Sequence, residues 1–241
     1  MRRLILFLII LSTFMMTGCW DMVEIEDVIF PYSIGIDLNK DKQKEGRLEF
    51  TISYPNIAAI GKNATSSETI FILDDTSNSM FELLHKLTTR VQRPIFLKLL
   101  NVVMVSEEVA KDSKLMREIL DGLNRDFITS KNVQMLLTKE SPKELLNVAD
   151  KITKQQSIEG NLNSMLINRQ KSSMFIPVTF MHFIGKTDIS NAAIIPVASI
   201  GEEIIISGGA IFKEFTFVGY LDPIEVRAAG IINNKVKQDT V

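Results

Sequence analysis

One cysteine in 241 residues decides much of what this chain can become. A lone thiol allows no internal disulfide and no multi-cysteine metal site, so the fold must be held by core packing. The thiol is Cys19, and its position is as informative as its number. Arg2 and Arg3 form a positive start, residues 4–16 form an apolar run of thirteen, and Met16-Thr17-Gly18-Cys19 closes it with small residues before the thiol. That is the layout of a secretory signal ending in a lipoprotein-type cleavage site. Thirteen residues fall short of the roughly 20 needed to cross a bilayer core as a helix. The sequence therefore assigns anchoring to Cys19, as the acceptor of an S-diacylglyceryl group and, after cleavage, of an N-acyl chain such as palmitate. Burying acyl carbons contributes about 0.8 kcal/mol per CH₂, and two chains hold stably where one does not. The alternatives are an ordinary cleaved signal with an incidental cysteine, or a short uncleaved anchor.

Loss of residues 1–18 removes Arg2 and Arg3, which leaves 25 basic against 29 acidic residues and moves the formal charge from −2 to −4. An acidic chain without a basic stripe argues against nucleic-acid binding. With 46% hydrophobic residues, the remainder is long enough and apolar enough for one large or two small cores.

Residues 32–37 and 47–54 alternate apolar and polar side chains around the solvated 39–46 stretch, which predicts a hairpin with a long loop. Residues 56–67 read as an excursion, and 69–73 as a third strand. Met80, Leu83, Leu84, Leu87 and Val91 recur at helical spacing, while residues 97–105 form a continuous apolar run expected to be a central strand covered on both faces. A second amphipathic helix over 114–123 and a strand over 133–137 follow. Ser141, Pro142 and Glu144 form a capping-box pattern before a helix to residue 150. Residues 151–156 read as a polar linker, 157–167 as helix, 177–184 as a short helix, and 192–200, 203–212 and 216–221 as strands. From residue 231 periodicity is lost.

The resulting expectation is a mixed α+β fold. A signal over 1–18 and an anchor-proximal segment over 19–31 precede a mixed α/β domain over 32–150. A helical linker region over 151–192, a strand region of a smaller second α/β portion over 193–230, and a disordered tail over 231–241 complete it.

Catalytic patterns are scarce. His85 and His182 stand far apart with no partner at ligand spacing and read as ordinary boundary or core residues, which leaves zinc chemistry and histidine triads without support. Gly185-Lys186-Thr187 echoes the end of a phosphate loop, but Phe180 occupies the position of its first glycine. Asn63-Ala64-Thr65 has the spacing of a glycosylation acceptor, uninformative behind a bacterial-type signal. Asp74-Asp75 and Glu107-Glu108 are adjacent pairs, and sequence neighbours point apart where general acid–base work needs convergence. No catalytic residue, metal site or cofactor is assigned. Residues 207–227 are the most informative later stretch: Gly208-Gly209 permits positive φ or close approach, two strands follow, and Pro223 opens a capped helix.

Two separated stretches then resemble one family. Gly18-Cys19-Trp20-Asp21 with Glu24-Ile25 and Ser33-Ile34-Gly35-Ile36-Asp37, and later Gly208-Gly209-Ala210-Ile211-Phe212-Lys213 with Gly219-Tyr220-Leu221-Asp222, Glu225 and Arg227, are similar to the C-subunit lipoproteins of spore nutrient germination receptors, the Ger(x)C family. The resemblance implies a non-enzymatic, lipid-anchored subunit on the outer face of the spore inner membrane. Its implied partners are two other receptor subunits, one multi-spanning and one with soluble and spanning parts. It also implies a further C-terminal domain, so the chain reads as a truncated member. A substrate-binding lipoprotein that feeds a transporter is the second class, and a cell-envelope hydrolase a third.

Overall fold

The computed structural model of the chain describes residues 2–3, 27–56, 70–126, 132–156, 165–166 and 174–233. Eight strands form one sheet: β1 (Ser33–Leu38), β2 (Leu48–Pro55), β3 (Ile70–Ser77), β4 (Val102–Ser106), β5 (Gln134–Thr138), β6 (Ala192–Ile200), β7 (Ile204–Lys213) and β8 (Thr216–Leu221). Their order is β3-β2-β1-β4-β5-β6-β7-β8. The centre, β1-β4-β5-β6, is parallel, and an antiparallel hairpin pair extends each side. The fold is thus mixed α+β as expected. The strands of the 193–230 region extend the sheet of the 32–150 region, because β6 pairs with β5 through Leu137↔Val197 and Thr138↔Ala198.

Helices cover both faces. α1 (Met80–Thr88), α2 (Glu107–Ala110), α3 (Ser113–Asp126) and α5 (Phe180–Ser190) share the first face, where Leu83, Leu87, Met116, Leu123 and Phe183 meet Ile34, Ile36, Val103, Val105 and Met135 in one cluster. On the second face, Leu145, Leu146 and Ala149 of α4 (Pro142–Gln156) meet Val102, Met104, Leu136, Ile204 and Ile206. Alternation along β4 and β5 sends neighbouring residues into different clusters, as period-two geometry requires.

Three glycines shape the second face. Gly35 lies between Ile34 and Ile36 and faces α4, where an added Cβ would fall 2.4 Å from Pro142 Cβ. Gly208 takes φ +73 where β7 carries one residue more than β6 between the pairs Pro196↔Gly209 and Ala198↔Ile206. This bulge reverses the alternation. Ile204 and Ile206 before it join the second cluster, whereas Ala210 and Phe212 after it join the first. Gly209 then admits α6 (Pro223–Ile232) to the second face, with Val226 Cγ2 3.0 Å from its ideal Cβ position.

Several expected elements change. Residues 97–105 are not one strand: Leu97–Leu99 is a 3₁₀ turn, closed by Leu100 N–H donating to Leu97 C=O at 3.0 Å. Leu97 and Leu100 are buried at a spacing of three, while Leu99 is exposed, so period three wins over period two before β4 begins. The polar stretch 151–156 continues α4, consistent with helix-favouring residues and no Gly or Pro. β3 runs on through Asp74 and Asp75 because their charges are paired. α5 starts beyond Pro177, capped by Thr179 Oγ1, which accepts from His182 N–H at 3.2 Å. Ile231 and Ile232 complete α6 rather than opening the tail. The expected excursion over 57–67 and most of the 157–167 helix lie outside the described residues, as do 234–241.

Gly35→Ala forces Pro142 away from the sheet and is expected to lower stability by about 1–3 kcal/mol. Gly122→Ala in α3, where nothing lies within 4 Å of the added Cβ, is expected to raise it by up to about 1 kcal/mol. Urea unfolding of both variants checks the opposite signs, and equal effects would contradict the packing assigned to Gly35.

Candidate functional site

Cys19, the expected lipidation site, lies outside the described residues, as do Trp20, Asp21, Glu24, Ile25 and the Asn63-Ala64-Thr65 acceptor pattern. The other motif residues can be placed, and they build the sheet. Ser33 Oγ and Ser53 Oγ share a buried hydrogen bond of 2.9 Å between β1 and β2. Asp37 Oδ1 accepts from Leu38 N–H at 2.8 Å where β1 ends.

The 207–227 stretch is more elaborate. After the Gly208 bulge, β7 turns into β8 through Glu214 and Phe215, at φ 51 and 67. This left-handed pair is the geometry of a tight hairpin turn. Arg117 of α3 lies 4.3 Å from the Phe215 ring centroid, so the hairpin curls over the first face onto α3. A run of aromatic contacts follows, Phe183–Phe212 at 5.1 Å, Phe212–Phe217 at 6.2 Å and Phe217–Tyr220 at 4.8 Å between centroids. At its end the Tyr220 hydroxyl donates to Glu107, the first residue of α2. Lys111 pairs with Glu107 from the next turn, and Lys139 lies 5.0 Å from the Tyr220 ring centroid. α6 begins with a complete capping box: Asp222 Oδ1 accepts from Glu225 N–H, and Glu225 Oε2 accepts from Asp222 N–H, each at 2.8 Å.

The electrostatics of this junction follow from its partners. Burial, then the bond to Glu107, pushes the Tyr220 phenol above the usual tyrosine range. The Lys111 ammonium, then the Tyr220 hydroxyl, holds Glu107 below the usual carboxylate range. A phenol that stays protonated beside a carboxylate that stays ionised is a fixed donor–acceptor pair, suited to fastening β8 to α2.

The remaining candidates separate in space. Asp74 and Asp75 point to opposite faces. Asp74 Oδ2 accepts from Lys143 at 2.9 Å, together with Glu49 at 3.1 Å, and this raises the Lys143 pKa through Asp74 first. Asp75 pairs with Arg90 at 2.9 Å. Glu107 and Glu108 likewise diverge, Glu108 pairing with Lys40 at 3.0 Å. His85 and His182 are both exposed rather than boundary or core residues, since each lies on the outer side of its helix. Gly185-Lys186-Thr187 lies within α5, and the Thr187 hydroxyl donates to Phe183 C=O at 2.8 Å. No cluster of three or more metal-ligating side chains occurs among the described residues. A groove of about 140 Å³ lies between β2, α1 and α3, lined by Phe50, Met80, Phe81 and Leu123. Its charged rim is closed by Arg47 donating to Glu118, and it is smaller than the roughly 300 Å³ at which ligand pockets begin.

A sheet of parallel centre and antiparallel flanks, fastened by packing and surface ion pairs, defines a mixed α+β body in which the described motif residues lie in strands β1, β7 and β8 and in α6 with its cap. The family profile described as the spore germination protein N-terminal domain matches residues 21–200, and the chain belongs to this family of Ger(x)C-like spore germination proteins. It is 23% identical over 228 residues to spore germination protein A3 of Bacillus subtilis (strain 168), covering 94% of this chain and 60% of that protein. It is 30% identical over 127 residues to spore germination protein KC of the same organism, covering 52% of this chain and 31% of that protein. A third relative, the putative spore germination protein YfkR, is 24% identical over 144 residues, with 57% of this chain and 36% of that protein covered. The chain thus spans at most 60% of the length of these relatives. No solved structure matches it.

Tyr220→Phe removes the donor to Glu107 and is expected to cost about 1 kcal/mol near neutral pH, a value kept low by partial exposure. Because the folded state holds Glu107 below its unfolded value, this stabilisation is present above the ordinary glutamate range and is lost as pH falls through the depressed value. Denaturation of both proteins between pH 7 and pH 3 should show the difference shrinking with acidification; a constant difference would mean that the hydroxyl acts independently of Glu107 ionisation, and no difference that Tyr220 contributes only its ring.

Proposed function

We propose that this chain is a lipid-anchored, non-enzymatic subunit of a spore nutrient germinant receptor. In this reading Cys19 carries the S-diacylglyceryl and N-acyl groups and holds the body on the outer face of the spore inner membrane. The body contributes to assembly or signalling through protein–protein contacts with the two other receptor subunits. The observation that carries the reading is the family match starting at residue 21, two residues beyond the Gly18-Cys19 step of the apolar signal. Its physical support is that acyl chains on one residue supply stable attachment without a spanning segment. Among the described residues no helix is long and apolar enough to cross a membrane.

The described titratable groups with shifted pKa values fit a scaffold. Each carboxylate or ammonium among them is shifted chiefly by a hydrogen-bonding or ion-pair partner on a neighbouring element or turn, and Tyr54 and Tyr220 chiefly by burial. A substrate-binding lipoprotein of a transporter needs two lobes around a cleft; the described strands form a single sheet, which gives that second reading no support.

Cys19→Ala is expected to abolish incorporation of labelled fatty acid and to move the protein from the membrane to the soluble fraction. Retention on membranes without label through a high-salt wash would defeat the anchor assignment. Crosslinking in spore membranes is expected to recover two membrane-spanning receptor subunits, whereas recovery of a transporter permease would favour the second reading.

A further inference from the structure

The first residues of the described body are fastened to one place. Ile29 N–H donates to Pro94 C=O at 2.9 Å, and Phe96 N–H donates back to Ile29 C=O at 2.8 Å. The chain coming from Cys19 therefore enters beside the 3₁₀ turn that precedes β4. On this turn Leu97 is buried, but Phe96 and Leu99 are 41% and 54% exposed. The Phe30 ring meets Phe96 edge-on at 6.3 Å, and the Lys98 ammonium lies 4.8 Å from the Phe96 ring centroid. Arg93, three residues before Phe96, is also exposed. Neither Arg93 nor Lys98 joins an ion pair among the described residues.

The opposite end of the molecule has the opposite character. β1, β4, β5 and β6 run parallel, so their carboxyl ends lie together. Asp37, Asp41, Glu45, Glu107, Glu108, Asp112, Glu140, Glu202 and Glu203 lie at or follow those ends and outnumber Lys40, Lys42, Lys44, Lys111 and Lys139 there; Lys40 and Lys111 are taken up by Glu108 and Glu107, and Lys44 lies 3.9 Å from Asp74. An acidic chain thus presents an exposed aromatic and aliphatic pair with unpaired cations at the end where its N-terminal segment arrives. Apolar side chains that enter the headgroup boundary, flanked by cations that meet lipid phosphates, are the composition of a peripheral membrane contact.

We propose that Phe30, Arg93, Phe96, Lys98 and Leu99 form a docking surface for an anionic lipid bilayer. The anchored protein then rests on the membrane by this end, with its acidic end directed away. This inference deepens the lipid-anchor reading and rests on it. Cys19 and Asp27 are eight positions apart, and a chain of that length reaches at most about 28 Å. The tether keeps the patch near the lipid surface; because Asp21, Glu24, Glu26 and Asp27 make the tether acidic too, the orientation rests on insertion of Phe96 and Leu99 and on Arg93 and Lys98 meeting the headgroups.

The acylated chain has no free thiol other than an introduced one, so single labels can be placed. An environment-sensitive fluorophore on Leu99→Cys or Glu203→Cys in the full acylated chain, attached to vesicles of phosphatidylglycerol and phosphatidylcholine, reads the contact. The label at 99 is expected to shift to the blue and to be quenched by brominated lipid severalfold more than the label at 203. Arg93→Glu combined with Lys98→Glu, both exposed positions, is expected to remove that difference while the protein stays attached through Cys19. Equal quenching at the two positions, or quenching indifferent to the charge reversal, overturns the docking. Equal quenching at 99 on phosphatidylcholine alone overturns the anionic preference. Failure of the anchor reads separately, as absence of incorporated fatty acid. The unacylated chain, labelled on Leu99→Cys after Cys19→Ser, must then still show the blue shift with excess phosphatidylglycerol vesicles at low salt, or the docking is also wrong.

Discussion

The body is registered on β4. All five of its residues are buried, and it pairs in parallel with β1 on one side and β5 on the other. Parallel neighbours cannot be joined by a tight turn, so the chain must cross a sheet face between them. Between β1 and β4 that excursion lays down the hairpin partners β2 and β3 and then α1, and between β4 and β5 it lays down α2 and α3. Val103 and Val105 feed one core while Val102 and Met104 feed the other. No disulfide can share this task, because the chain's single thiol stands at Cys19. The two apolar clusters divided by β4 therefore carry the stabilisation.

Local periodicity was enough to find most elements and not enough to join them. The stretches 192–200 and 216–221 coincide with β6 and β8 because short runs containing β-branched or aromatic residues, bounded by Asn, Gly and charged residues, write strands into sequence. The 97–105 run misled because a continuous apolar stretch has no period to read, and a 3₁₀ turn can bury Leu97 and Leu100 from within it. Asp74 and Asp75 looked like the end of a strand because their partners, Lys143 and Arg90, arrive from α4 and from the chain just beyond α1. The union of the two strand regions in one sheet had no local signal at all. The register of β6 on β5 spans about sixty residues, and only tertiary pairing creates it.

The candidate site was legible in a different way. The Gly208 and Asp222–Glu225 features have local backbone causes, a positive φ and a capping box, and such causes show in residue type. The Tyr220–Glu107 bond joins residues 113 positions apart through the curl of the β7–β8 hairpin, which no spacing rule anticipates. Cys19 was read from the order of charge, apolar run and small residues, an arrangement that addresses a processing step and needs no folded body.

The residues that carry the resemblance to the family and the residues that meet other molecules need not coincide. Gly35 admits Pro142, Gly208 changes the face of β7, Gly209 admits Val226, and Asp222 caps α6. Each has a steric or hydrogen-bonding reason to be that residue type, whatever the protein touches. A contact surface is under a weaker geometric constraint, since an exposed side chain can change without disturbing the sheet beneath it. Phe96, Lys98 and Leu99 lie outside the quoted motifs and could be polar at no cost to the core, because Leu97 and Leu100 already fill the inner side of that turn. An aromatic ring and an aliphatic side chain held in water beside unpaired cations, at a position where the fold asks for neither, point outward to a function rather than inward to stability.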